Sequence, residues 1–317
     1  MTRIKTKFGF STTAAEVLDG VDLTGKTMIV TGGASGIGIE TVRALSQAGA
    51  AVTIAARRPD AAETVAAELR ESTGNTPIDV RELDIADLAS VRRFVSNWNR
   101  PLHGLINNAG IMALPDLKRN EDGRELQFAT NFIGHFALTF GLHPWLKAAN
   151  GARVVSVSST GSLWSPILWD DPDFRFIPYH PFVGYGQSKT ACILLSVGIA
   201  RKWSVDNITS NSLNPGAIAT NLQRHTGGLK TPEPYRKTPQ QGAATSILLA
   251  ASPEFEGVTG RYFDDCNEAE IVDERLVQPI GTVAGYALDP SNADRLWTMA
   301  EKMIGAGRFM GSRPSNF

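Results

Sequence analysis

Residues 27 to 38 read TMIVTGGASGIG: a short apolar and β-branched run passes directly into three spaced glycines and then into an amphipathic stretch. Such a run favours a strand, and the glycines allow the chain to turn at once into a helix. The alternation then repeats. Short apolar runs follow as AVTIA from Ala51, IDVREL from Ile78, GLIN from Gly104, RVVSVS from Arg153 and ITSNSLN from Ile208. Between them lie helix-like segments over Gly36–Ala48, Ala61–Glu71, Leu88–Asn97, Gly123–Ala137 and Gly184–Trp203. Strand and helix alternating along one chain predict an α/β fold, a doubly wound parallel sheet with helices on both faces.

The glycine turn also bears on chemistry. Gly32, Gly36 and Gly38, with Ser35 and Ile37 between them, open a helix straight after a strand. Glycines let backbone N–H groups approach a pyrophosphate, and a helix N-terminus favours its charge. The same turn is also compatible with close helix–strand packing alone. About 20 residues further on, a dinucleotide site specific for NAD carries a carboxylate for the ribose 2′-hydroxyl. Here the second apolar run ends in Arg57 and Arg58, with no carboxylate before Asp60. Two guanidiniums suit a 2′-phosphate, so NADP(H) is favoured over NAD(H). A solvated surface pair is the other reading of these arginines.

Composition narrows the classes further. Lys and Arg number 31 against 32 Asp and Glu in 317 residues, which gives neither nucleic acid nor a strongly charged partner a surface to bind. Cys192 and Cys266 are far apart, so no disulfide framework is expected and a reducing, cytoplasmic setting is. The first twenty residues show cations and no apolar run, which gives no sign of a signal peptide. No run is long enough for a membrane span. The five histidines show no metal-ligand spacing, and no metal is expected.

Tyr185 and Lys189, in YGQSK, lie four residues apart and so share a helix face. That spacing alone also describes an ordinary surface pair. Taken in order with TGGASGIG, NNAG at 107–110 and NPGAIAT at 214–220, it resembles the short-chain dehydrogenase/reductase family over about residues 25–265. STTAAEVLDGVDLTGK, NFIGHF and GRYFDDC are similar to the branch holding retinol dehydrogenases, WW-domain oxidoreductases and protochlorophyllide reductases. The resemblance implies a single Rossmann-type catalytic domain over 25–265. An N-terminal arm covers 1–24, with a capping box at Thr13 and Glu16, and a helical tail covers 266–317.

Site roles follow from the same resemblance. Asn131, Ser159, Tyr185 and Lys189 would be catalytic, Ser159 rather than Ser158 being the aligned serine. Asn131 would hold a kink and a water near the lysine. Beside the glycine loop and the arginines, the cofactor would meet Asp84, Asn108, Ala109, Gly110, Tyr185, Lys189, Pro215, Gly216, Ile218 and Thr220, with Asn107 stabilising the sheet. A free phenol titrates near pH ~10, too high for a base at neutral pH, and a nearby cation favours the phenolate. A serine hydroxyl can donate to an oxygen on which negative charge develops. Cys192 departs from the branch, which tends to carry asparagine there; on an apolar helix it is expected to be buried and inert.

Substrate loops are expected at 160–184 and 221–239, with the Pro/Gly-rich stretch 226–239 read as a mobile loop. The first carries Trp164, Trp169, Phe174, Phe176, Tyr179 and Phe182, which suit a lipophilic substrate or, equally, pack the loop onto its own sheet. The expected activity is NADP(H)-dependent interconversion of a lipophilic ketone or aldehyde and its alcohol. The alternatives are a cofactor-sensing protein without turnover, a sugar-nucleotide epimerase or dehydratase, and light-driven tetrapyrrole reduction. A homo-oligomer is compatible with the sequence.

Overall fold

The computed structural model describes residues 2–74, 77–277 and 279–308. The helices, in chain order, are α1 (Ala14–Val17), α2 (Ile37–Gln47), α3 (Pro59–Thr73), α4 (Leu88–Ser96), α5 (Leu126–Phe128), α6 (Gly134–Ala148), α7 (Pro181–Lys202), α8 (Pro239–Ala251), α9 (Gly285–Leu288) and α10 (Pro290–Ile304). The strands are β1 (Thr27–Thr31), β2 (Ala51–Ala56), β3 (Ile78–Glu82), β4 (Gly104–Asn107), β5 (Ala152–Val157) and β6 (Ile208–Asn214). They continue with β7 (Ala217–Ile218), β8 (Arg236–Lys237), β9 (Tyr262–Asp264), β10 (Asn267–Glu268), β11 (Glu270–Val272) and β12 (Thr282–Ala284).

Eight strands form one sheet in the order β10-β9-β6-β5-β4-β1-β2-β3, parallel except for the antiparallel edge β10. Apolar side chains cover both faces, which is why β1, β2, β4 and β5 read as near-continuous apolar runs rather than alternating ones. One face packs against α4, α6, α7 and α10 through residues such as Phe94, Phe136, Leu195 and Trp297. The other packs against α2, α3 and α8 through Val42, Leu45, Leu69 and Ile247. The strand order reverses between β4 and β1, and a crevice at such a switch point is where ligands of open α/β sheets bind.

Two expectations are corrected. The helix expected over Gly123–Ala137 is α5, a π-helical turn at Ala129–Ile133, and α6 running on to Ala148 through Pro144. Burial of Leu142 and Leu146 in the core holds this stretch helical beyond the proline, whose missing N–H costs one helical bond. Residues 266–317 are not simply a helical tail: among the described residues β10 extends the main sheet, β11 pairs with β12, and α9, α10 and a 3-10 turn at Ala306–Arg308 follow. Residues 309–317 lie outside the described residues. Within 221–239 there are 3-10 turns at Asn221–His225 and Glu233–Tyr235, and β8 pairs with β7.

The expected arm carries the capping box of Thr13 and Glu16. It is fastened to the far edge of the sheet, where Ile4 N donates to Glu268 Oε2 at 2.8 Å and Thr6 N to Asn267 Oδ1 at 3.0 Å.

Candidate active site

The loops singled out by sequence meet at the C-terminal ends of β1, β4, β5 and β6. The glycine loop leaves β1 with no side chain capping the start of α2, and the Gly38 amide donates back to the Ser35 carbonyl at 3.0 Å. A Cβ at Gly38 would lie 2.3 Å from the Gly32 carbonyl oxygen and 2.9 Å from Asn108 Nδ2. Only glycine leaves that cradle open. Thr31 pins the neighbouring loop: its Oγ1 accepts from the amides of Asn108 at 2.8 Å and Ala109 at 2.9 Å, and Asn108 Nδ2 donates to the Thr31 carbonyl at 2.8 Å. Thr220 reaches Gly36 from the opposite side, 3.2 Å separating its Cγ2 from the position of a Cβ there. It also caps the 3-10 turn that follows by accepting from Leu222 N.

Ser35 and Gly110 are exposed, while Ile37, Ala109, Pro215 and Gly216 are half-buried and Ile218 is buried. Asp84, just past β3, turns its chain by accepting from Ala86 N at 3.0 Å. Arg57 and Arg58 stand exposed at the end of β2. Asn107 Nδ2 donates to Thr139 Oγ1 at 3.1 Å, joining β4 to α6. A helix start with no side-chain cap, a cradle that a single Cβ would fill and two exposed guanidiniums fit a dinucleotide.

On α7, Lys189 Nζ lies 5.6 Å from the centre of the Tyr185 ring and donates to the Val157 carbonyl at 2.9 Å. Both side chains are buried. Ser158 and Ser159, past β5, divide their work: Ser158 Oγ is buried and donates to the Lys189 carbonyl at 2.7 Å. Ser159 Oγ accepts from the Gly161 amide at 3.0 Å and is half-exposed, leaving its proton available. A Cβ at Gly161 would lie 2.7 Å from Tyr185 Cε1, so glycine is what lets the serine turn press against the phenol.

Asn131 sits in the π turn. Its side chain bridges the Ile111 amide at 2.9 Å, the Ile111 carbonyl at 3.0 Å and Ser188 Oγ at 2.9 Å. The wider turn leaves its backbone carbonyl to the Cys192 thiol at 3.2 Å and His135 Nδ1 at 2.9 Å. Cys192 is thus buried and bonded, and Cys266 is buried as well.

His135 is a site residue that sequence reasoning passed over, although it lies one helical turn after Asn131 in NFIGHF. A carbonyl can only accept, so Nδ1 carries the proton. Burial, then Lys189, pushes the imidazole down to about 4 and keeps it neutral, so Nε2 accepts from Thr31 Oγ1 at 2.9 Å. One imidazole therefore joins the π turn to the end of β1.

The aromatic residues of 160–184 divide. Trp164 stands beside Tyr185, with ring centres 6.0 Å apart, and meets Phe182 edge-on at 5.0 Å. Phe174 and Tyr179 pack on each other, Trp169 joins the core, and Phe176 is 90% exposed. The loop is tied down by Asp171, which accepts from the amides of Arg175, Phe176 and Ile177. A cleft of about 190 Å³ adjoins the serine turn, with Leu163, Arg275 and Tyr286 in its wall. A larger one, about 290 Å³, lies far off between the arm and the end of α8. Among the described residues no cluster of His, Cys, Asp or Glu is placed to hold a metal, and no helix is long and apolar enough to cross a membrane.

The sequence profile described as short chain dehydrogenase matches residues 26–227, a span that contains the glycine loop, the serine turn, Tyr185 and Lys189. The chain belongs to the short-chain dehydrogenase/reductase family. Within it, this short-chain dehydrogenase is 51% identical over 301 residues to a probable oxidoreductase of Streptomyces lividans, covering 90% of this chain and 100% of that one. It is 39% identical to human retinol dehydrogenase 14, over 89% and 87% of the two chains, which places it in the retinol dehydrogenase-like branch as an oxidoreductase. Among solved structures, the Pseudomonas aeruginosa RhlG/NADP complex matches with a TM-score of 0.61 and 26% identity, covering 76% of this chain and 95% of that one.

Proposed function

We propose that this enzyme interconverts a lipophilic ketone or aldehyde and its alcohol with NADP(H), using Tyr185 as acid and base. The observation that carries the reading is the convergence of Tyr185, Lys189 and Ser159 beside the cradle formed by the glycine loop, with Trp164 next to the phenol and Phe182 packed on Trp164. Bound there, the nicotinamide would supply or accept the hydride. The chain's own residues position, polarise and move the proton. Ser159 Oγ, held by Gly161 N, would donate to the carbonyl oxygen as negative charge develops on it. Tyr185 would give its proton to the nascent alkoxide or, in the other direction, take the alcohol proton. Lys189 has used one donor on Val157, and its remaining protons are free to hold the cofactor ribose and favour the phenolate. Asn131 and His135 would keep the floor of the site rigid.

Preference for NADP(H) rests on Arg57 and Arg58, and is in keeping with the NADP held by the P. aeruginosa neighbour. A lipophilic substrate is supported by the Trp164–Phe182 pair and by a relative named for retinol, bounded in this chain by 160–184 and 221–239. The test is oxidation of NADPH and NADH against a panel of bulky ketones and aldehydes, with Tyr185→Phe in parallel. Turnover with NADPH that falls by orders of magnitude in the variant, with NADPH affinity nearly unchanged, is expected. Equal loss of binding and rate would overturn the role given to Tyr185.

A further inference from the structure

The motif GRYFDDC contributes two adjacent carboxylates for which the chemistry above has no use. They lie where β9 meets β10: Asp264 faces Asn267 across the pair, and Asp265 and Cys266 form the two-residue turn. Both turn residues have left-handed backbones, with φ of 47° and 62°. A tight hairpin requires this, and glycine or asparagine ordinarily supplies it. Cys266 is held there, buried, with its amide donating to Thr245 Oγ1 at 3.1 Å. A strained conformation of this sort costs ~1–3 kcal/mol and persists only where its surroundings over-determine it.

The turn sends its carboxylates to different partners. Asp264 is buried and accepts from Asn214 Nδ2 at 3.1 Å with each oxygen, and from the Gly281 amide at 2.9 Å. A carboxylate accepts only, so it fixes which end of the Asn214 amide faces it. The other end, Oδ1, is then presented to the Thr160 amide at 3.3 Å. Thr160 stands between Ser159 and Gly161, the two residues that close the serine turn. Asp265 forms an ion pair with Lys237 of β8. The stem of Lys237 passes beneath Gly216, where a Cβ would lie 2.8 Å from its Cδ. The segment Asn214–Pro215–Gly216, between the serine turn and the cofactor cradle, is thereby gripped at both ends.

We infer that Asp264 and Asp265 are positioning residues: Asp264 sets the Ser159 turn through Asn214, and Asp265 sets the Pro215–Gly216 turn through Lys237. The inference rests on the assignment of Ser159 as the group that meets the carbonyl. Asp264→Asn conserves volume but adds donors, so the Asn214 amide is free to flip and oppose the Thr160 N–H. Removing the Lys237 charge breaks the grip on the other turn and leaves the hydrogen bonds from Asp264 through Asn214 to Thr160 in place.

The test combines amide hydrogen exchange with kinetics on Asp264→Asn, Lys237→Met and Ser159→Ala. In Asp264→Asn, the Thr160 and Gly281 amides should exchange at least ~10-fold faster, while core amides such as Ile29 and Ile106 keep their protection. Its kcat should fall about 10- to 100-fold with KM for NADPH nearly unchanged, the cost of a misplaced donor. Lys237→Met should raise KM for NADPH more than it lowers kcat. Unchanged protection at Thr160 and Gly281 overturns the inference whatever the kinetics show. So does a parallel change of kcat and KM in both variants, the mark of general loosening. Full turnover by Ser159→Ala would instead sink the role of the serine, and exchange at Thr160 would still decide the positioning. Should no carbonyl of the panel be turned over, that same exchange measurement decides alone.

Discussion

The buried imidazole of His135 makes folding stability depend on pH with a sign and size that can be worked out. A free histidine titrates near 6.5, while burial holds this one near about 4. Below pH 6.5 the unfolded chain takes up a proton that the folded chain refuses. Stability from this source is therefore complete above about pH 6.5 and is lost as pH falls toward 4, amounting to roughly 2–3 kcal/mol by pH 4.5. Two carboxyls oppose it. Burial raises Glu125 to about 7 and Asp264 to about 6, so the folded chain binds protons there at higher pH than the unfolded chain does. Those two groups stabilise the fold as pH falls across much of the same window, and the curve of the whole protein mixes both signs. The difference between wild type and His135→Gln isolates the imidazole. Measured by urea unfolding, the wild-type advantage at pH 8 should shrink by roughly 2–3 kcal/mol at pH 4.5. A difference that stays flat with pH would refute the reasoning, as would a ring resonance of His135 titrating near 6.5.

Three further outcomes are expected. Gly38→Ala places a methyl against the Gly32 carbonyl, and an overpacked contact of this kind costs ~1–3 kcal/mol; NADPH affinity should drop about 5-fold or more in calorimetry, since every 1.4 kcal/mol is tenfold. Replacing Arg57 and Arg58 together by Ala removes charge-assisted donors worth ~1.5–3 kcal/mol each, so Kd for NADPH should rise far more than Kd for NADH; equal weakening would defeat the 2′-phosphate argument. Gly161→Ala drives a methyl into the Tyr185 ring and should lower kcat while leaving the affinity for NADPH in place; loss of both together would mean that the turn does not act through the phenol.

The regular part of the architecture is legible because it is local. Strand runs, a glycine turn and a four-residue helical spacing are set by neighbours along the chain, and β1, α2 and the Tyr185–Lys189 face lie where those patterns put them. The helix beyond Pro144 was not legible, because the local signal says stop and the core overrides it. Nor did the aromatic loop show beforehand which rings would face Tyr185. Trp164 does, with Phe182 packed behind it, whereas Phe174 and Tyr179 close on each other, since that choice depends on how Asp171 folds the loop.

By itself the sequence determined the succession of β1 to β6 with α2, α3 and α4 among them, the cradle that needs glycine, and the residue types placed at the ends of the strands. Those follow from backbone stereochemistry and periodicity, which act over a few residues. Tertiary structure alone decided that His135 is neutral and bonded to Thr31, 104 residues away, and that Asp264 reaches Thr160 through Asn214. Protonation states and side-chain orientations depend on burial and on partners brought together by packing, and neither exists until the chain has folded.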